Sequence, residues 1–215
     1  GPDAEWSGGG AEGMKKKVVL LLSLVLVALC VARIAFVNAT AIRFEARRHA
    51  VGEAIELSGS FINESLGSED YSVTVLGMER MTHDEYIERY GIDKAAGLDG
   101  DSTKSVICVE MNVRNAAAPD SEGSAIELIG MGLNLANGDA VLQIDNELWS
   151  KSEPSVPSGG LGALSIVPQT DYTTHIPYSA ATGYVDSDNG ELPAGTYELH
   201  LSSEPIRNLV VADVA

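Results

Sequence analysis

From Ile107 to Arg114 the chain alternates without a break: Ile107, Val109, Met111 and Val113 are apolar, and Cys108, Glu110, Asn112 and Arg114 stand between them. A period of two puts successive side chains on opposite faces of an extended strand, so this segment is a strand with one face in a core. Shorter versions recur at Tyr71, Val73 and Val75; at Ile129, Met131, Leu133 and Leu135; at Tyr172, Thr174, Ile176 and Tyr178; and at Tyr197, Leu199 and Leu201. Turn-forming clusters separate them: 115–124, Asn137-Gly138, Ser158-Gly159-Gly160, 186–190 and Pro193-Ala194-Gly195. Short alternating strands without helical segments between them predict a mainly β domain, an antiparallel sandwich or barrel.

One helix is expected to interrupt the strands. Thr82 followed by Glu85 is a capping box, in which the hydroxyl and the carboxylate each satisfy an orphan amide. Tyr86, Ile87 and Tyr90 then fall at helical spacing, and Gly91 can take the left-handed position that ends a helix.

The N-terminus is of another kind. Residues 1–13 form a Gly-rich preamble, expected to be structureless and excluded from the fold, with Met14 read as the start. Lys15, Lys16 and Lys17 precede Val18 to Val37, a run interrupted only by Arg33. A helix of that length reaches about 30 Å, the thickness of a hydrocarbon core, and Arg33 lies close enough to its end to snorkel. The lysines place the N-terminus in the cytoplasm by the positive-inside rule, with Arg43, Arg47 and Arg48 weakening that bias. A cleaved signal peptide ending at Val37-Asn38-Ala39 is the rival, and the length of the apolar run favours an uncleaved anchor. The expected organisation is a transmembrane anchor over 14–37, a juxtamembrane linker over 38–51 and a β-domain over 52–215. The expected location is the cell membrane, single-pass, with the C-terminal domain extracytoplasmic.

Charge narrows the partners. Residues 49–215 carry seven basic and 27 acidic side chains, a net charge of about −20. Such a surface repels phosphate backbones, so nucleic acid is not an expected partner. Cys30, inside the apolar run, and Cys108, inside the strand, are separated by the expected membrane boundary, and no disulfide is expected.

Several short segments resemble a family of Gram-positive, membrane-anchored proteins built on a domain of unknown function. They are Arg33-Ile34-Ala35-Phe36-Val37-Asn38 at the end of the apolar run, Tyr71 to Val75 leading to Tyr86-Ile87 and Tyr90-Gly91, Val109 to Asn115, Leu148-Trp149, and Ser165-Ile166-Val167-Pro168. The resemblance spans most of the chain from Met14. It implies an immunoglobulin-like β-sandwich with one short inserted helix, outside the cell, and it supplies no catalytic or binding residues.

No recognised catalytic constellation is present. The chain lacks a nucleophile elbow, a paired-histidine zinc helix and a phosphate-cradling glycine loop, and the glycines near 159–162 read as a turn. His49, His83, His175 and His200 lie in four different segments, the last two out of phase with the apolar residues of their strands. Asp186-Ser187-Asp188-Asn189-Gly190-Glu191 begins like a calcium loop, but its glycine is fifth rather than sixth and Tyr197 stands where the bidentate glutamate belongs. Asp99-Gly100-Asp101 is discounted likewise. The expectation is therefore no catalytic residue, no metal and no cofactor. Trp149, beside the loop 150–160, is a candidate recognition anchor, with core packing as the alternative. The loops 92–104 and 150–160 are where function is expected. The composite reading is a non-enzymatic, membrane-tethered interaction module whose partner is another membrane or cell-surface protein or a glycan. The alternatives are an accessory or sensory subunit of a membrane complex, or an enzyme with a site assembled across strands.

Overall fold

The alternating segment around Met111 becomes β4 (Ser105–Asn115), whose odd-numbered side chains from Ile107 to Val113 are fully buried. β4 lies between β3 (Tyr71–Thr82) and β9 (Thr170–Ala180), antiparallel to both. These three long strands form the centre of the sheet, and each turns apolar side chains into the main core. The computed structural model describes residues 9–40, 45–62, 67–92, 104–121, 125–128, 130–157, 162–180 and 191–215. The discounted calcium-like run from Asp186 up to Gly190, Asp99-Gly100-Asp101 and the turn at 158–160 lie outside them.

The chain divides into two units, Gly1–Arg43 and Phe44–Ala215. The first contains α1 (Gly9–Thr40). From Lys16 to Thr40 it is long and apolar enough to cross a membrane, and every described side chain on it, including Lys16, Lys17 and Arg33, is exposed. Lys15 belongs to the helix, and its side chain is outside the described residues. The helix begins at Gly9, so the end of the preamble expected to be structureless is helical. Once a helix is nucleated, each added residue gains a hydrogen bond for the ordering of one residue, so a strong helix extends past the segment that specifies it.

In the second unit nine strands form one ladder, in the order β1-β11-β10-β6-β7-β9-β4-β3-β2. The remaining members are β1 (Glu45–Ala50), β2 (Ala54–Glu56), β6 (Leu133–Leu135), β7 (Val141–Ile144), β10 (Gly195–His200) and β11 (Ile206–Val214). All pairings are antiparallel except β1 with β11. β5 (Ile126–Glu127) and β8 (Ala163–Leu164) form a separate two-stranded ribbon. The two end strands of the large sheet, β1 and β2, are consecutive in the chain and joined at a corner where Gly52, at φ +88°, donates to the Val75 carbonyl. The sheet as a whole is nearly barrel-shaped. The expected mainly β, antiparallel domain behind an apolar helix is present, but the ladder does not draw the two separate sheets of an immunoglobulin-like sandwich.

The expected linker is corrected as well. Its C-terminal part, Glu45–Ala50, is β1, so the folded domain starts before residue 52. β1 shows no alternation because an edge strand held by its ladder need not bury a side chain.

Two helices pack on the sheet. α2 (His83–Arg89) starts at the expected capping box: Thr82 Oγ1 accepts from the Glu85 amide at 3.1 Å, and the Glu85 carboxylate accepts from the Thr82 amide at 2.7 Å. Gly91 follows at φ +65°, the left-handed conformation foreseen for it. α3 (Asn146–Ser152), not foreseen in the sequence, is capped by Asp145, whose carboxylate accepts from the Leu148 amide. Tyr86, Ile87 and Leu148 bury with Met81, Val106 and Cys108 in a second apolar cluster on the outer side of β3 and β4.

Candidate functional site

The same alternation that buries one face of β4 and β9 sends Cys108, Glu110 and His175 to the other. Glu110 and His175 are directly opposite in the ladder, and Glu110 Oε1 lies 3.7 Å from His175 Nε2. Tyr90, at the end of α2, leans over the imidazole with ring centroids 4.9 Å apart. Its hydroxyl sits 3.3 Å from Cys108 Sγ. Both His175 and Glu110 keep about a third or more of their side chains exposed, at 32% and 46%.

Glu153 closes the site on the far side. β7 pairs with β9 only at Tyr178–Ala180, which leaves the rest of that edge open. The Glu153 carboxylate fills the opening: Oε1 accepts from the His175 amide and from Thr174 Oγ1, both at 2.7 Å, and Oε2 accepts from the Tyr172 hydroxyl. Oε1 also lies 3.7 Å from His175 Nδ1, so each imidazole nitrogen faces a carboxylate. Tyr86 anchors the arrangement from below, donating to the His175 carbonyl at 3.0 Å with Ser152 Oγ 2.8 Å away.

These groups can bind and orient, but no nucleophile among them is activated. Burial pushes the Cys108 thiol up to about 11, and it raises the Tyr90 and Tyr86 hydroxyls further. A thiol held protonated is a weak nucleophile. Among the described residues no three His, Cys, Asp or Glu side chains converge as a metal site. What the face offers is a tilted aromatic pair, a half-exposed imidazole and carboxylates, an arrangement suited to polar recognition.

Trp149 is corrected from candidate anchor to core. It is fully buried, and its indole N–H donates to Thr174 Oγ1 at 3.1 Å. The first residues of the loop expected to display it, 150–152, belong to α3, which buries Leu148 and Trp149. Of the other histidines, His49 joins Glu53 and Asn208, His200 lies between Arg207 and Asn134, and His83 starts α2. None of them meets His175. Glu153 and Tyr90 were missed as site residues because only the tertiary fold brings the end of each helix to β9. A separate open cleft of about 400 Å³ lies at the ends of β2, β3 and β4, with Glu56, Glu69, Asp70 and Arg114 in its lining.

Fold and face together define a β-rich domain carried behind an apolar helix, with a polar-aromatic patch on its outer surface. The chain belongs to the family described as Domain of unknown function (DUF5028), whose model matches residues 46–208. No curated protein matches it. Among solved structures it is similar to the yjhA protein from Bacillus subtilis at 14% identity and a TM-score of 0.36, over 78% of this chain and 99% of that one, a likeness too distant to carry an argument.

Proposed function

We propose that the chain is a membrane-tethered interaction module rather than an enzyme. The observation that carries this reading is α1: an apolar helix with every described side chain exposed, ahead of a domain whose buried clusters are formed without it. In this reading α1 crosses the cell membrane once, Lys15, Lys16 and Lys17 remain in the cytoplasm, and the acidic domain stands outside. The face around Tyr90, Glu110 and His175 then meets another membrane or cell-surface protein, or a glycan. The sequence resemblance adds a Gram-positive cell surface and an immunoglobulin-like ancestry to the proposal.

Sidedness and binding are separable in one experiment. Val167 is 70% exposed, whereas Cys108 is buried. A Val167→Cys chain in intact cells should react with a membrane-impermeant maleimide, and reaction only after lysis would reverse the topology. A photo-crosslinking side chain at position 110 should give a defined adduct from intact membranes that His175→Ala diminishes. An unchanged adduct would move the binding face elsewhere.

A further inference from the structure

β1 differs from every other strand of the large sheet. It stands at the end of the ladder, pairs only with β11, and places no side chain in either hydrophobic cluster. Five of its six residues are exposed, and the exception is His49. Side-chain attachment therefore falls to polar contacts, among them Arg48 with Glu198 at 3.1 Å and the two bonds of His49. A strand held this way belongs to the low-stability end of a fold, where local opening is easiest.

The bonds around His49 set what each ring nitrogen faces. Ser202 Oγ donates to the Ile206 carbonyl at 2.8 Å, so toward Asn208 Nδ2, 2.9 Å away, it can only accept. That turns the Asn208 amide so that its oxygen faces His49 Nε2 at 3.1 Å, and Nε2 must carry a hydrogen. The other ring nitrogen, Nδ1, lies 2.8 Å from the Glu53 carboxylate, which also accepts from the Ala50 amide. Both ring nitrogens thus face acceptors, and only a doubly protonated ring can donate to both at once.

We infer that β1 is a releasable strap, closed by a doubly protonated His49 that clasps Glu53 of the β1–β2 corner to Asn208 of β11, and opened when the imidazole loses a proton. A neutral ring has one hydrogen for two acceptors, so one bond of the clasp is lost, and β1 keeps only its ladder, the other ring bond and the exposed Arg48–Glu198 pair. The charged partner at the ring is Glu53. β11 and the turn before it present neutral Asn208 and Ser202. On β1 itself, Arg47 shares the His49 face and is paired with Glu45, and Arg48 on the opposite face is paired with Glu198. The bond from His49 and the Ala50 amide hold the Glu53 carboxyl below the usual range, so this partner stays charged into mild acid. The strap does not depend on the membrane reading; only its consequence, a longer tether between α1 and the remaining strands once β1 opens, rests on that reading.

The test is amide hydrogen exchange on the full chain in detergent micelles, followed from pH 5 to 8, the window in which imidazoles change charge, and corrected for intrinsic rates. Protection of residues 45–50 should fall about tenfold as pH rises, the loss of roughly one charge-assisted bond, while protection of β4 stays constant. His49→Gln should exchange fast in β1 at every pH, with β4 reporting that the domain is folded. Glu53→Gln, a change at a half-exposed side chain, should move the step to lower pH. A pH-independent β1 in the wild-type chain would overturn the strap, as would an unchanged step in either variant.

Discussion

Trp149 and Cys108 are the residues whose surroundings decide most about their chemistry. The Trp149 ring is packed in the main core and its N–H is satisfied by Thr174, so Trp149→Phe should cost about 1–3 kcal/mol through a small cavity and a lost buried hydrogen bond. Denaturant unfolding measures that loss, and crosslinking from position 110 should be unaffected by it. Cys108, with its thiol pushed up to about 11 by burial, is about one part in a thousand thiolate at pH 8. It should resist alkylation in the folded chain and react once denaturant opens the domain, as mass spectrometry would record; rapid modification of the native chain would contradict the burial. Both roles hinge on which neighbours exclude water, a property that the flanking sequence does not carry.

At the scale of elements, α2 was legible and α3 was not, for a definite reason. The Thr82–Glu85 box and Gly91 are local signals, each acting on amides within the same turn, so the sequence alone announces them. Asp145 caps α3 by the same chemistry, but a seven-residue helix carries too few periodic positions to stand out from the alternating strands beside it. Thr82→Ala should therefore lower stability by about 0.5–2 kcal/mol, read by chemical denaturation. The cap also has a pH signature. Bonds from the Thr82 amide and hydroxyl hold the Glu85 carboxyl below its ordinary range, so its contribution is complete above the unfolded titration of the group and is lost as pH falls through the depressed folded one. Glu85→Gln should flatten that part of the acid-unfolding curve, and an unchanged curve would show that the cap bond is not formed in solution. β1 was hidden in the opposite way: strand pairing made it, and no side-chain pattern records pairing.

For the whole molecule, the two units should be separable. Every buried apolar side chain of the two clusters lies beyond residue 54, so a chain starting at Phe44 should stay soluble, show a β-rich circular dichroism spectrum and unfold in one cooperative transition. Aggregation without detergent would mean that α1 covers part of the domain. The sequence by itself determined the features that depend on a residue's near neighbours: an apolar helix long enough to span a membrane, a period-two core in β3, β4, β9 and β10, the capped helix α2, and a strongly acidic composition. Only the tertiary structure decided that the strands join in one curled ladder, that β1 pairs parallel to β11, that Trp149 points inward, and that Tyr90, Glu110, Glu153 and His175 share a face. Periodicity states which face of a strand is apolar and is silent about which strand lies beside it. Partner choice and side-chain convergence are set by contacts across long stretches of chain, as where the β4–β9 register brings Glu110 and His175, far apart in sequence, to 3.7 Å.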